Sequence, residues 1–250
     1  VREYLRGDDV RAIDWNVTAR MGKPYVKLFE EERELQIFIV VDRSFSMFSG
    51  TGSRTRYRTA AEAAALIAMA AEINASSIGA VFFDGDIQFS CAPESGRKRT
   101  MLLLARLDEV DEYGTAGSAL ESALTGVGKL LKKRSLVFVF SDFRTVGWIT
   151  SLASLAQKND VVAVRIVDEI DNELPEIGTV PFIDSETAVR LVLPSSSSSF
   201  RNAWRSDNRR RFMHWQESCI RHGAVPLALS TDDEIARVLS NFFSYKGRGQ

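Results

Sequence analysis

Leu35-Gln36-Ile37-Phe38-Ile39-Val40-Val41-Asp42-Arg43-Ser44-Phe45-Ser46 is the stretch whose reading decides the fold. An apolar, β-branched run gives way to one acid and then two hydroxyls at alternate positions. A parallel strand buried on both faces reads this way where it hands over to a loop. In an open α/β sheet, ligands bind in the crevice beyond the carboxyl ends of the strands. Asp42, Ser44 and Ser46 are therefore placed to meet one. Hard and neutral oxygens with no His or Cys nearby suit a hard cation such as Mg²⁺ or Mn²⁺. The same residues can instead cap a turn through nearby backbone amides, so the rest of the chain must choose between the two readings.

Downstream, Thr55 or Thr59 opens a helix running to about Ala75 that is apolar on nearly every side and hence packed inside. Ile78 to Phe83 and Ile87 to Phe89 flank Asp84-Gly85-Asp86, a hairpin signal that predicts an antiparallel pair near a sheet edge. Helical spacing recurs over Arg97 to Leu107 and Gly117 to Lys133, the latter preceded by Tyr113, Gly114 and Thr115. Val137 to Phe140 is a second continuous apolar strand, and it ends in Ser141-Asp142-Phe143. A helix at Trp148 to Lys158 and a strand at Val161 to Val167 continue the alternation of a doubly wound, mostly parallel sheet with helices on both faces. Asp168 to Glu176 reads as an acidic loop, and residues 178–193 as a small hairpin addition. The serines at 195–199 read as a flexible connector. A long helix over Phe200 to His222 stops at Gly223, Val225 to Leu229 is a last strand, and a last helix over Asp232 to Tyr245 has Thr231 available as its cap.

Two parts are expected: an amino-terminal arm or hairpin at 1–34, dense in charge, and a large domain at 35–250. The chain of 250 residues can bury a sizeable core. Its net charge of −1 gives no global electrostatic pull toward nucleic acid or an anionic membrane. Cys91 and Cys219 are too few for a disulfide scaffold and lack metal-type spacing, which predicts buried or free thiols in a reducing, cytoplasmic setting. The most apolar stretch, near Ala63 to Ala71, is far short of the roughly 20 residues that span a bilayer. Because the sequence opens on Val1, a membrane segment preceding it is an open expectation.

Three loops, ending in Asp42, Thr115 and Asp142, can converge on one carboxyl edge of the sheet. These residues resemble the metal-ion-dependent adhesion site of von Willebrand factor A domains, which uses D-x-S-x-S, a distant Thr and a later Asp. Asp42, Ser44, Ser46, Thr115 and Asp142 fill that pattern in order. The resemblance implies that Ser44, Ser46 and Thr115 touch the metal, that Asp42 and Asp142 act through water, and that a partner's Glu or Asp completes the shell. A narrower resemblance, carried by Tyr4, Gly7-Asp8-Asp9, Arg11, Ile13-Asp14-Trp15 and Ala19-Arg20, is to the bacterial domain-of-unknown-function 58 family. It implies a cytosolic, non-enzymatic adaptor tethered to the inner membrane and working with a MoxR-type AAA+ ATPase.

A rival reading makes Asp42 the nucleophile of a Mg²⁺-dependent phosphatase. Such enzymes need a second Asp two residues on, and Ser44 stands there. His214 and His222 both fall in the late helix, far in sequence from the acidic loops, which argues against a His-based site. Arg205, Arg209, Arg210 and Arg211, interleaved with Trp204, Phe212 and Trp215, form the one basic cluster. It reads as a solvated helix face or a docking face for an acidic protein partner rather than a nucleic-acid site.

Overall fold

The computed structural model describes residues 1–5, 8–26, 35–109, 118–174, 176, 179–183 and 190–246. The chain separates into two compact units, Val1–Glu34 and Leu35–Gln250.

In the first unit β1 (Arg2–Glu3), α1 (Trp15–Met21) and β2 (Tyr25–Val26) follow in order, with β1 antiparallel to β2. The helix is an addition to the arm or hairpin expected from sequence. Asp14 caps it by accepting from the amides of Asn16 and Val17, and Gly22, at φ +70°, ends it in the left-handed region.

The second unit runs β3 (Gln36–Asp42), α2 (Arg56–Ile73), β4 (Ser77–Phe83), β5 (Ile87–Glu94), α3 (Arg97–Asp108), α4 (Leu120–Leu130), β6 (Leu136–Ser141), α5 (Trp148–Ala156), β7 (Asp160–Val167), α6 (Glu169–Asn172), β8 (Thr179–Ile183), β9 (Arg190–Pro194), α7 (Ser198–Arg221), β10 (Val225–Ser230) and α8 (Ile235–Lys246). The main sheet has the order β10-β7-β6-β3-β4-β5, parallel except for β5 at the edge. Pleating sends alternate residues of β3 to opposite faces. Ile37, Ile39 and Val41 pack with α2, α3 and α8, while Phe38 and Val40 pack with α4, α5 and α7. Both faces are thus covered, which is why β3 is a continuous apolar run. Gly79 is where β5 bulges against β4. A Cβ there would meet Cys91 O and Pro93 N at 2.7 Å.

β8 and β9 form a separate antiparallel pair. Three local expectations need correction. The acidic stretch after β7 contains α6, because Asp168 and Asp171 form a reciprocal capping box that closes a helical turn. Thr231 does not cap α8, which begins at Ile235; its buried hydroxyl donates to Asp168 instead. The serine run is no connector, since Ser197 caps α7 through the amide of Phe200 and Ser198 already lies in the helix.

Candidate functional site

The strand order reverses between β3 and β6: β3 is followed by β4 on one side, while β6 joins it on the other. Loops leaving the carboxyl ends of two such strands diverge and leave a crevice. Val41 pairs with Phe140, so Asp42 and Asp142 emerge on either side of it. Both are buried, at 1% and 4% exposure.

Asp42 Oδ1 accepts the amide of Ser44 at 2.9 Å, a turn that starts the loop, and Oδ2 accepts the hydroxyl of Ser141 at 2.6 Å. Met47 is fully buried and pins the short 3₁₀ turn Phe45–Phe48. This brings the hydroxyls of Ser44 and Ser46 to 3.3 Å from one another. Burial pushes Asp42 up to about 7, helped by the charge of Asp142 and opposed by its bonds to Ser141 and Ser44.

Asp142 Oδ1 accepts the amide of Arg144 at 3.1 Å. Its Oδ2 is buried and receives no hydrogen bond. Arg144 Nε stands 3.7 Å away, close enough for an ion pair and too far for a hydrogen bond. Phe143 takes φ +53°, a costly conformation for an aromatic residue. Its amide donates to Ser141 Oγ and its ring is wedged between Trp148 and Trp215 at 5.1 and 5.9 Å, so packing fixes the turn that aims Asp142.

Thr115 lies outside the described residues. Of the remaining sequence-predicted residues, Asp42, Ser44, Ser46 and Asp142 gather at the β3–β6 crevice. Arg205, Arg209, Arg210 and Arg211 do not; they lie on α7. There Arg205 pairs with Glu173, and Arg210 and Arg211 both pair with Asp207 on their own helix. Trp215 is buried, and Trp204 donates to Ile170 O at 2.9 Å, so the interleaved aromatics pack inward. His214 is exposed, and His222 bonds Ser218 O at 2.7 Å near the end of α7.

Sequence reasoning missed the ionic layer behind the crevice. Asp171 accepts from Arg56 Nη2 at 2.8 Å and from Arg144 Nη2. Arg56 also donates to Ser46 O and Ser49 Oγ, which ties the serine loop to the same acid. Asp168 accepts from Thr51, Ile170 and Thr231. Burial raises its pKa, but these donors outweigh it and leave Asp168 below the ordinary carboxylate range. The Asp-x-x-Asp spacing of a capping box was the available signal for α6; nothing local marks Arg56, 115 residues away in sequence from its partner Asp171.

Among the described residues no group of three or more His, Cys, Asp and Glu is arranged to hold a metal ion. The donor set is instead two carboxylates with serine hydroxyls. It fits a hard divalent cation: one buried carboxylate oxygen lacks any donor, and the other acid resists ionisation without an added positive charge.

Among solved structures, this fold is similar to BatB from Bacteroides thetaiotaomicron (TM-score 0.52, 13% identity, covering 86% of this chain and 100% of that one). It is also similar to an aerotolerance-related membrane protein from Bacteroides fragilis (TM-score 0.55, 15% identity, 84% and 97%). The SpRpn10 VWA domain is more remote, at TM-score 0.46. The architecture is von Willebrand A-like, a doubly wound α/β fold with a mostly parallel sheet. In sequence the chain is 29% identical over 254 residues to Rv1480 of Mycobacterium tuberculosis and to Mb1516 of Mycobacterium bovis, covering 99% of this chain and 78% of each relative. The family model described as "Protein of unknown function DUF58" matches residues 1–213, and the chain belongs to that family.

Proposed function

We propose that this chain is a metal-dependent protein-binding module in which Mg²⁺ or Mn²⁺, held at the β3–β6 crevice, receives a carboxylate from a partner protein. The observation that carries the reading is the pair of buried acids at the carboxyl ends of neighbouring parallel strands, one with an oxygen that no donor satisfies. Ser44 and Ser46 would supply neutral ligands, with Thr115 as a third, and Asp42 and Asp142 would act as acceptors for metal-bound water. When bound, the ion supplies a site of positive charge open to an outside acid. Asp42 is poorly suited to the rival nucleophile role, because both of its oxygens are engaged by Ser44 and Ser141.

The partner favoured by the family resemblance is a MoxR-type AAA+ ATPase or its client. The chain would then be the cytoplasmic domain of a protein anchored at the inner membrane. Among the described residues, no helix is long and apolar enough to cross a membrane. Arg205, Arg209, Arg210 and Arg211 would form a secondary docking face, with exposed Arg209 its freest charge.

Titration calorimetry with Mg²⁺ and Mn²⁺ on wild type and Ser44→Ala, paired with capture of the ATPase in Mg²⁺ or in EDTA, tests the reading. Metal binding and capture should weaken together in Ser44→Ala, and capture should disappear in EDTA. A folded wild type that binds neither ion overturns it.

A further inference from the structure

Behind Asp142 sits a positive charge that a cation-binding site does not need. Arg144, only 20% exposed in its side chain, lies with Nε 3.7 Å from the unsatisfied Asp142 Oδ2 and gives Nη2 to Asp171 Oδ1. Asp171 cannot swing away freely. Its Oδ2 accepts the amide of Asp168 at 3.1 Å in the α6 capping box, and its Oδ1 also holds Arg56 at 2.8 Å. Three acids, Asp142, Asp168 and Asp171, thus lie among three guanidinium groups, Arg144, Arg56 and Arg165, all six largely removed from water. Buried charge is tolerated only when balanced in this way. The balance is complete before any metal arrives, so a divalent ion beside Asp142 adds charge to a cluster that is already neutral.

We propose that Arg144 is a resident counter-cation of this site: anchored by Asp171, it neutralises Asp142 in the metal-free chain and thereby holds down the affinity for a divalent ion. The proposal rests on the crevice being a metal site. Arg144 is a positioning residue here and touches neither metal nor partner. Its effect is a matter of charge, since like charges a few ångströms apart in a partly buried site change a binding constant by about tenfold or more. A cation is then favoured when a partner delivers a carboxylate of its own, which restores neutrality.

The test is Mn²⁺ titration, followed by electron paramagnetic resonance and by the melting temperature with and without EDTA, of wild type, Arg144→Gln and Asp171→Asn. Removing the guanidinium should tighten Mn²⁺ by about tenfold. Asp171→Asn, which leaves the guanidinium groups in surplus while preserving shape, should loosen it by about tenfold. A merely structural role for this layer would make both variants bind more weakly, so the opposite signs are the readout. A folded Arg144→Gln that binds no tighter than wild type overturns the proposal. If Arg144→Gln does not fold, Arg144→Met takes its place as a second variant without the guanidinium, and Mn²⁺ affinity no tighter than wild type in it overturns the proposal. A folded wild type that takes up no Mn²⁺ removes the metal site itself, and this inference with it, which is distinct from the case where wild type binds and the variants fail to diverge.

Discussion

The two ends of the main sheet are built from the same strands and obey different rules. At the amino ends of β3 and β6, Leu35, Ile37, Leu136 and Phe138 meet Ala70 and Ala71 of α2 and Leu239 and Phe243 of α8 around an apolar cavity of about 530 Å³. At the carboxyl ends, a few residues on, stand buried acids, a left-handed Phe143 and an unsatisfied carboxylate oxygen. One end contributes stability through apolar burial. The other holds groups that cost stability and are kept in place by the packing around them. The contrast shows where the fold can tolerate loss. Changes at the apolar end should unfold the domain, and changes at the polar end should alter binding in a domain that still folds.

The largest expected effect lies at the apolar end. Phe138→Ala removes a fully buried ring that stacks with Phe140 and meets Phe243 edge-on, and it enlarges the existing cavity. It should cost about 3–5 kcal/mol in urea unfolding, while the remaining folded protein binds Mn²⁺ as wild type does. A changed affinity would mean that the two ends are coupled.

Asp42→Asn comes next and should act in the opposite way. On the proposed function, in which Asp42 holds metal-bound water, its loss should weaken metal binding by about 10–100-fold. Yet the variant should be no less stable than wild type in EDTA at neutral pH. The sign follows from the raised pKa. Folded Asp42 keeps its proton to about 7, whereas the unfolded chain gives it up near 3.8. Metal-free wild type should therefore lose stability as pH rises between those values and stay level above them. Melting temperatures of Asp42→Asn across the same range should be flatter, and a parallel pair of curves would refute the assignment.

The smallest effect tests the support layer. Thr231→Val deletes a 3.0 Å hydrogen bond to Asp168 and should cost about 1–2 kcal/mol. Because Asp168 is held below the ordinary carboxylate range, the stability it contributes is present at neutral pH and disappears as pH falls through its folded-state value. The difference between Thr231→Val and wild type should shrink there, measured by thermal melts in acid.

Much of this architecture was legible in the chain. The continuous apolar runs ending in Asp42 and in Ser141-Asp142 identify parallel strands because a strand buried on both faces has no polar side to show. Asp84-Gly85-Asp86 identifies the antiparallel edge because few sequences turn so tightly. The errors fell where one side chain has two local options. Thr231 could cap a helix or serve a distant acid, and Asp168 buried beside it made the second more favourable. Asp168 and Asp171 looked like solvated loop acids until their capping box closed a turn.

By itself the sequence determined the alternation of strand and helix, the two-sided burial of the central strands, and which acids stand at their ends, since these follow from local periodicity. Only the tertiary structure decided that β3 and β6 are neighbours across the reversal of strand order, that Ser141 donates to Asp42, and that Arg56 and Arg144 share Asp171. Those pairings join residues far apart in the chain, and long-range charge balance leaves no periodic trace in a sequence.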